Sequence, residues 1–309
     1  MRIICIFSFF LNFLDKFLIR KKLSFLLLHK SKNFLYKKLF KNSHKNLGNI
    51  LLAKSDIIVS LTVIESRIHF LKFTLNSLIA QTYKVKKIIV NYDDSIEYKY
   101  IKNLIEIYDK LGVEFRLVEN FGSHKKYLFL NKDERKYKVL LCDDDMIYDK
   151  WFIESLKKIS NFEPNSAITL FGRKMCDNNN NILQRKLWPW ELKCCKHSNL
   201  YYWCGNAFTL YPNNFFDEKI LNKKLISKLF FNSEYKVISY DDSWLNFNRL
   251  KKNIKVFYAR PYSILYWPAP KIDGVSKIKL GYVSRNSDPY WSEENVFKRL
   301  LKENLSINC

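Results

Sequence analysis

The sequence predicts an α/β fold, a doubly wound, mostly parallel sheet flanked by helices. Three observations carry this reading. From residue 56 onward, β-branched runs of strand length alternate with helix-length segments that are apolar on one face. The 309 residues, 48% of them hydrophobic, suffice to bury a sizeable core. Finally, the short apolar run 139–142 ends in Asp143-Asp144-Asp145. Open α/β sheets bind their ligands at the carboxyl ends of their strands.

Each element has its own signal. Ile57-Ile58-Val59-Ser60-Leu61-Thr62 suits a strand buried on both faces. Ser66 is placed to cap a helix with Ile68, Leu71, Leu75 and Leu78 on one side. A second strand over 87–90 ends at Asn91-Tyr92-Asp93-Asp94-Ser95, and a helix over 98–111 is closed by Gly112. Residues 113–118 form a third strand, and Gly122-Ser123-His124-Lys125-Lys126 leads through a short helix to the acid-tipped strand. A helix beginning near Asp149, with Trp151, Ile153, Leu156 and Ile159 as its apolar residues, is followed by a strand over 167–171. Residues 172–206 are polar and aromatic without periodicity and read as loops around a site. A strand over 207–211, a helix opened by Ser239-Tyr240-Asp241-Asp242-Ser243-Trp244 and a late strand over 254–258 complete the series.

Composition narrows the function classes. Seven glycines provide neither a P-loop nor a dinucleotide fingerprint, and seven cysteines without paired CxxC spacing give no zinc framework or disulfide scaffold. A reducing cytoplasmic compartment follows. The net charge of +23 implies an anionic partner, and residues 1–54 alone contribute +11, with 12 Lys/Arg against Asp15. Their first apolar run, 3–14, is interrupted by Asn12 and stops at Asp15, short of the ~20 residues of a spanning helix. Apolar clusters alternating with lysine fit a helix lying in an anionic membrane interface, or equally an appendage packed on its own domain or a partner. The expected organisation is a basic amphipathic segment (1–54), the α/β domain (55–265) and a C-terminal extension packed on or following it (266–309).

Three adjacent carboxylates repel one another, and burial raises that cost. A divalent cation, Mn²⁺ or Mg²⁺, removes the repulsion and recruits phosphate oxygens as further ligands. The alternative is a solvated acidic turn.

The stretches IIVSLTVIESRI, SLIAQTYKVKKIIVNYDDS, GSHKKYL, VLLCDDDMIYDKWF, GNAFTLYP and YDDSWL occur in an order that resembles bacterial GT-A-type glycosyltransferases, notably family 2, over roughly residues 55–260. The resemblance implies a GT-A-like sheet. It places Thr62, Arg67 and Asp93 at the nucleotide base and ribose and turns Lys126 toward the nucleotide. Asp143-Asp144-Asp145 matches the DxD element, with Asp143 near the ribose, Asp144 also in the nucleotide-sugar site, and Asp145, joined by Asp143, on the metal. Gly205 matches an acceptor-side loop glycine, and the neighbouring Trp203 offers an aromatic face to a sugar. Asp241-Asp242 matches the pair that supplies the catalytic base, usually its second member. Its alternative role is a helix cap worth about 1 kcal/mol.

Two departures stand out. None of the histidines (His29, His44, His69, His124, His197) sits where a C-terminal metal ligand belongs, and the acidic motif after the second strand lacks its glycine. The implied activity is metal-dependent, inverting transfer from a nucleotide-diphosphate sugar to a hydroxyl of a glycan or lipid-linked acceptor. The implied setting is surface polysaccharide or lipopolysaccharide synthesis at the inner face of the cell membrane. The competing readings are a sugar nucleotidyltransferase, which needs a glycine-rich phosphate loop, and a basic nucleic-acid-binding protein. No nucleic acid is expected as a partner, because no zinc or RNA-binding signature is present.

Overall fold

The structure is a computed structural model that describes residues 55–170, 172–175, 181, 183–184, 187–188, 195–197, 202–204, 208–232, 237–238, 240–259, 266–268 and 293–305. The first strand, β1 (Ile57–Thr62), is buried at every position. A tight turn, Glu65–Arg67, leads into α1 (Ile68–Ile79). The expected Ser66 cap is not made. Ser66 lies inside the turn, and the Arg67 amide donates to Ile64 O at 3.0 Å, so backbone bonds close the helix entry instead. Then come β2 (Lys87–Tyr92), α2 (Tyr98–Tyr108) and β3 (Val113–Leu117), with Gly112 at φ 82° turning the chain between the last two.

After β3 come the short helix α3 (Lys125–Leu128), β4 (Lys138–Cys142), β5 (Met146–Tyr148) and α4 (Phe152–Phe162). Four three-residue strands follow: β6 (Ala167–Thr169), β7 (Gly172–Lys174), β8 (Cys195–His197) and β9 (Tyr202–Cys204). The remaining elements are β10 (Thr209–Tyr211), α5 (Lys223–Phe230), β11 (Phe231–Asn232), β12 (Val237–Ile238), α6 (Asp241–Lys251), β13 (Val256–Tyr258), β14 (Tyr266–Pro268) and α7 (Glu293–Leu305).

Eight strands form one sheet in the order β3-β2-β1-β4-β10-β6-β13-β8. The first four run parallel, β10 runs antiparallel to both neighbours, β13 parallels β6, and β8 closes the edge antiparallel. Alternation along β1 sends Ile57, Val59 and Leu61 to one face, where they meet Leu71, Leu75 and Leu78 of α1 and Phe152 and Leu156 of α4. Ile58 faces the other side with Val139 and Leu141, under Tyr127 and Leu128 of α3, Phe230 of α5, Trp244 of α6 and Phe297 of α7. Helices therefore cover both faces.

The region read as loops over 172–206 contains β7, β8 and β9, strands too short to show a period in sequence. In β7, a Cβ on Gly172 would stand 1.4 Å from the buried ring of Tyr258, so the close approach demands glycine.

A polar row on α1, continued by Gln81 just past its C-terminus, holds the loop that carries the acidic triplet. Thr74 Oγ1 lies 2.8 Å from Asp144 O and 2.7 Å from Met146 O, one hydroxyl proton serving two carbonyls. Ser77 Oγ accepts from the Tyr148 amide at 3.1 Å. Gln81, buried, donates to Asp149 O at 2.7 Å and to Ser77 O at 2.9 Å, and accepts from the Ile153 amide at 3.0 Å. Gln81→Ala removes three buried hydrogen bonds, of whose backbone partners Asp149 O alone keeps a second donor, the Phe152 amide at 3.0 Å, and is expected to cost about 1–3 kcal/mol. A lowered urea midpoint with native circular dichroism meets this expectation, and an unchanged midpoint contradicts it.

Candidate active site

Parallel pairing of β2, β1 and β4 brings their carboxyl ends to one edge. Asp93, the loop 62–67 and Asp143-Asp144-Asp145 thereby converge from stretches far apart in sequence. The segment 122–128, between β3 and β4, packs on β1, β2 and β4 and reaches this edge with three side chains. Ser123 Oγ donates to Asp241 Oδ1 at 2.6 Å. Lys125 pairs with Asp93. Lys126 Nζ pairs with Asp143 Oδ1 at 2.5 Å, while its backbone carbonyl accepts from Ser60 Oγ in β1. One segment thus holds an acid from each of three different elements.

These contacts set the charge states. Burial disfavours the Lys126 ammonium, but Asp143, Asp241 and Asp242 outweigh that cost and raise its pKa above the usual lysine value. Lys126 therefore stays charged between the strand-end acids and the pair that opens α6. Tyr127, buried, is kept neutral by desolvation and by the same pair, with its hydroxyl 2.5 Å from His124 Nδ1. His124 is buried against Phe230, with ring centroids 5.4 Å apart.

Within the triplet, Arg67 Nη1 lies 2.8 Å from Asp144 Oδ1 and 3.1 Å from Asp145 Oδ2. Asp144 is buried, and its Oδ2 has no hydrogen-bond partner among the described residues. Burial pushes its pKa up to about 7; Asp145 and Asp143 add to the rise, and Arg67 and Lys126 oppose it. The Asp143 amide donates to the Tyr148 hydroxyl at 2.9 Å, which fixes the strand end. Beside it the buried Cys142 thiol is pushed up to about 12, which leaves no thiolate for nucleophilic work.

The other expected residues fall as follows. Thr62 Oγ1 donates to Asn91 O at 2.9 Å, tying β1 to β2. Asp93 also accepts from the Ser95 amide at 3.0 Å and from the Ser95 hydroxyl. Asp241 and Asp242 occupy the first turn of α6, where negative charge suits the helix dipole. Neither is the N-cap: Tyr240 holds that position at φ 68° without a side-chain cap bond. The cap reading of Asp241 is therefore corrected, since its carboxylate is turned to Ser123. Trp203 lies in β9 opposite Arg173, and Gly205 is outside the described residues. Ser123 and Lys125 were not singled out from the sequence. Their only signal was the run GSHKK directly after a strand.

Among the described residues no three His, Cys, Asp or Glu side chains converge as a metal-binding group. Hard carboxylate oxygens are nevertheless the donor chemistry that Mg²⁺ and Mn²⁺ take, and Asp144 Oδ2 is a buried oxygen without a partner. Asp145, 38% exposed, is the most accessible carboxylate of the three. No described helix is long and apolar enough to cross a membrane, and residues 1–54 lie outside the described set.

No protein-family profile matches the chain. No curated protein matches it by sequence. Among solved structures, residues 1–349 of S. aureus TarS in complex with UDP share 17% identity at a TM-score of 0.43, over 81% of this chain and 72% of that one. The complex of the same fragment with UDP-GlcNAc gives 16% and 0.44 over 81% and 72%. The S. aureus TarS crystal structure gives 17% and 0.42 over 81% and 43%.

The placement of Asp144 has a pH signature. Its unfolded pKa is about 3.9, well below the folded value, so its contribution to stability is whole below about pH 4 and is lost as pH rises toward 7. Wild type should lose stability relative to Asp144→Asn between pH 5 and pH 8, by on the order of a few kcal/mol. Urea unfolding of both proteins at the two pH values checks this, and parallel behaviour contradicts the buried, poorly ionised carboxyl.

Proposed function

We propose that this protein is a glycosyltransferase that moves a sugar from a nucleotide-diphosphate donor to a hydroxyl of a glycan or lipid-linked acceptor. The observation that carries the reading is the position of Lys126, buried on Asp143 at the end of β4 and in the field of Asp241 and Asp242 at the start of α6. A strand-end acid suited to the donor and a second acidic pair suited to the acceptor are held in one site by a single cation. The order of the sequence motifs that resemble family 2 enzymes supports the same assignment.

In this reading the donor lies across the carboxyl ends of β1, β2 and β4, with the nucleoside toward Thr62 and Asp93. Asp242 accepts the proton of the attacking hydroxyl, a contribution of about 10²–10⁴-fold. Attack opposite the departing diphosphate inverts the anomeric centre. Ser123 orients Asp241, and Lys126 keeps Asp143 and the acidic pair in register. Asp145 and Asp143 would hold a divalent cation, Mn²⁺ or Mg²⁺, which when bound supplies Lewis-acid charge at the diphosphate. Trp203 and Gly205 belong to the acceptor side. Residues 1–54, basic and amphipathic, would hold the enzyme on the inner face of the cell membrane, where surface polysaccharide or lipopolysaccharide precursors are built.

The deciding experiment pairs two variants in an assay of nucleoside diphosphate release from a panel of UDP-, GDP- and dTDP-sugars. Asp242→Asn keeps size and polarity but loses the proton-accepting charge. Its turnover should fall by roughly 10²-fold or more with donor KM unchanged, while Asp241→Asn loses much less. A dominant loss at Asp241 moves the base one residue back. Mild effects at both positions, with native circular dichroism, remove the acidic pair from the mechanism.

A further inference from the structure

Three cations meet the acids at this edge, and they differ in what they leave open. The side chains of Lys125 and Lys126 are 1% and 10% exposed, and each ammonium is committed to an aspartate. Arg67 is 29% exposed and makes both of its ion pairs through Nη1. No described acid other than Asp144 and Asp145 pairs with Arg67, and Nη1 is its nearest nitrogen to both. A guanidinium carries five N–H donors in a rigid plane, and the Nε–Nη2 edge matches two oxygens of a phosphate in a bidentate pair. Neither nearest contact of Arg67 uses that edge.

The two contacts of Nη1 are also unequal. Asp144 is buried, so its link to Arg67 is shielded and fixes the side chain in place. Asp145 is 38% exposed, and ion pairs of that kind are worth little against solvent and competing anions. The arginine is therefore anchored through Nη1 on the buried acid, and its Nε–Nη2 edge is a separate pair of donors on the same plane. It sits on the turn Glu65–Arg67 directly after β1, whose carboxyl end is part of the ligand-binding edge.

We propose that Arg67 is a diphosphate-binding residue. Anchored through Nη1 on Asp144, it offers the Nε–Nη2 edge to phosphate oxygens of the donor and stabilises the charge left on the departing nucleoside diphosphate. The assignment rests on the transferase reading for the identity of the donor, and it differs from the base-and-ribose role that the sequence resemblance implies for this position. Bond cleavage leaves the electron pair on the diphosphate oxygen, and a cation already in place stabilises that charge without reorganisation. Lysine is no substitute, because a single ammonium cannot make the two parallel bonds.

The test uses the full chain and base-independent probes. Calorimetric affinities are measured for inorganic pyrophosphate and, separately, for uridine and guanosine. Arg67→Lys keeps a positive charge beside buried Asp144, so the fold is preserved while the fork is lost, and Arg67→Ala removes both. Pyrophosphate affinity should fall at least about 10-fold in Arg67→Lys and further in Arg67→Ala, with nucleoside affinity unchanged. Pyrophosphate affinity within twofold of wild type in both variants overturns the proposal. So does a loss of nucleoside affinity as large as the loss for pyrophosphate, or a wild-type protein that does not bind pyrophosphate. Turnover of nucleotide sugars by the wild type judges the transferase reading independently, so the two can fail separately.

Discussion

Carboxylates crowd one edge of the sheet, and their repulsion must be offset before the edge can exist. Asp93 directly follows β2, Asp143, Asp144 and Asp145 directly follow β4, and Asp241 opens α6, and the protein supplies its own cations against them: Lys125, Lys126 and Arg67. Buried pairs of this kind seldom add net stability, because desolvation consumes most of the Coulomb gain. Removing one partner is a different matter and costs on the order of 3–5 kcal/mol, since it strands a buried charge. The pairs therefore act chiefly to fix which acid stands where. That constraint makes the edge a site rather than a liability.

The scaffold around the edge follows from the same need. A carboxylate held to within a fraction of an ångström requires rigid support, and the acids stand on strand ends and a helix start rather than on long loops. The row Thr74, Ser77 and Gln81 fastens the triplet loop to α1 through backbone groups that would otherwise be buried without partners. On the opposite face, Phe230 and Trp244 pack α5 against α6, with ring centroids 5.9 Å apart, so the helix that bears Asp241 and Asp242 is seated on apolar contacts. Charge placement and core packing thus meet at Lys126, where the segment from β3 crosses to the acidic pair.

Much of this was legible in the sequence. The β-branched run of β1 and the apolar run of β4 each announced a buried strand, and the sudden switch from Cys142 to Asp143 marked a strand end with chemistry. What could not be read was the pairing. Lys126 pairs with Asp143 and Lys125 with Asp93, and neither partner can be told from the run GSHKK alone. Partner choice depends on which residues of the folded chain come within a few ångströms, and neither period nor composition encodes that. The same limit applies to the triplet, whose repulsion Arg67 and Lys126 offset in part. Three-residue strands such as β7 and β9 carry too few positions to show alternation, and the Ser66 cap failed because the chain took a tight turn one step earlier than the helix signal suggested.

The role of this edge turns on where a donor binds. A crystal structure of the full chain with a nucleoside diphosphate and Mn²⁺ would decide it most directly. The diphosphate is expected across the carboxyl ends of β1 and β4, with the anomalous manganese signal beside Asp145 and the open side of the phosphate facing Asp242. A nucleotide bound elsewhere on the molecule, with Asp143, Asp144 and Asp145 still closed on Lys126 and Arg67, would contradict it.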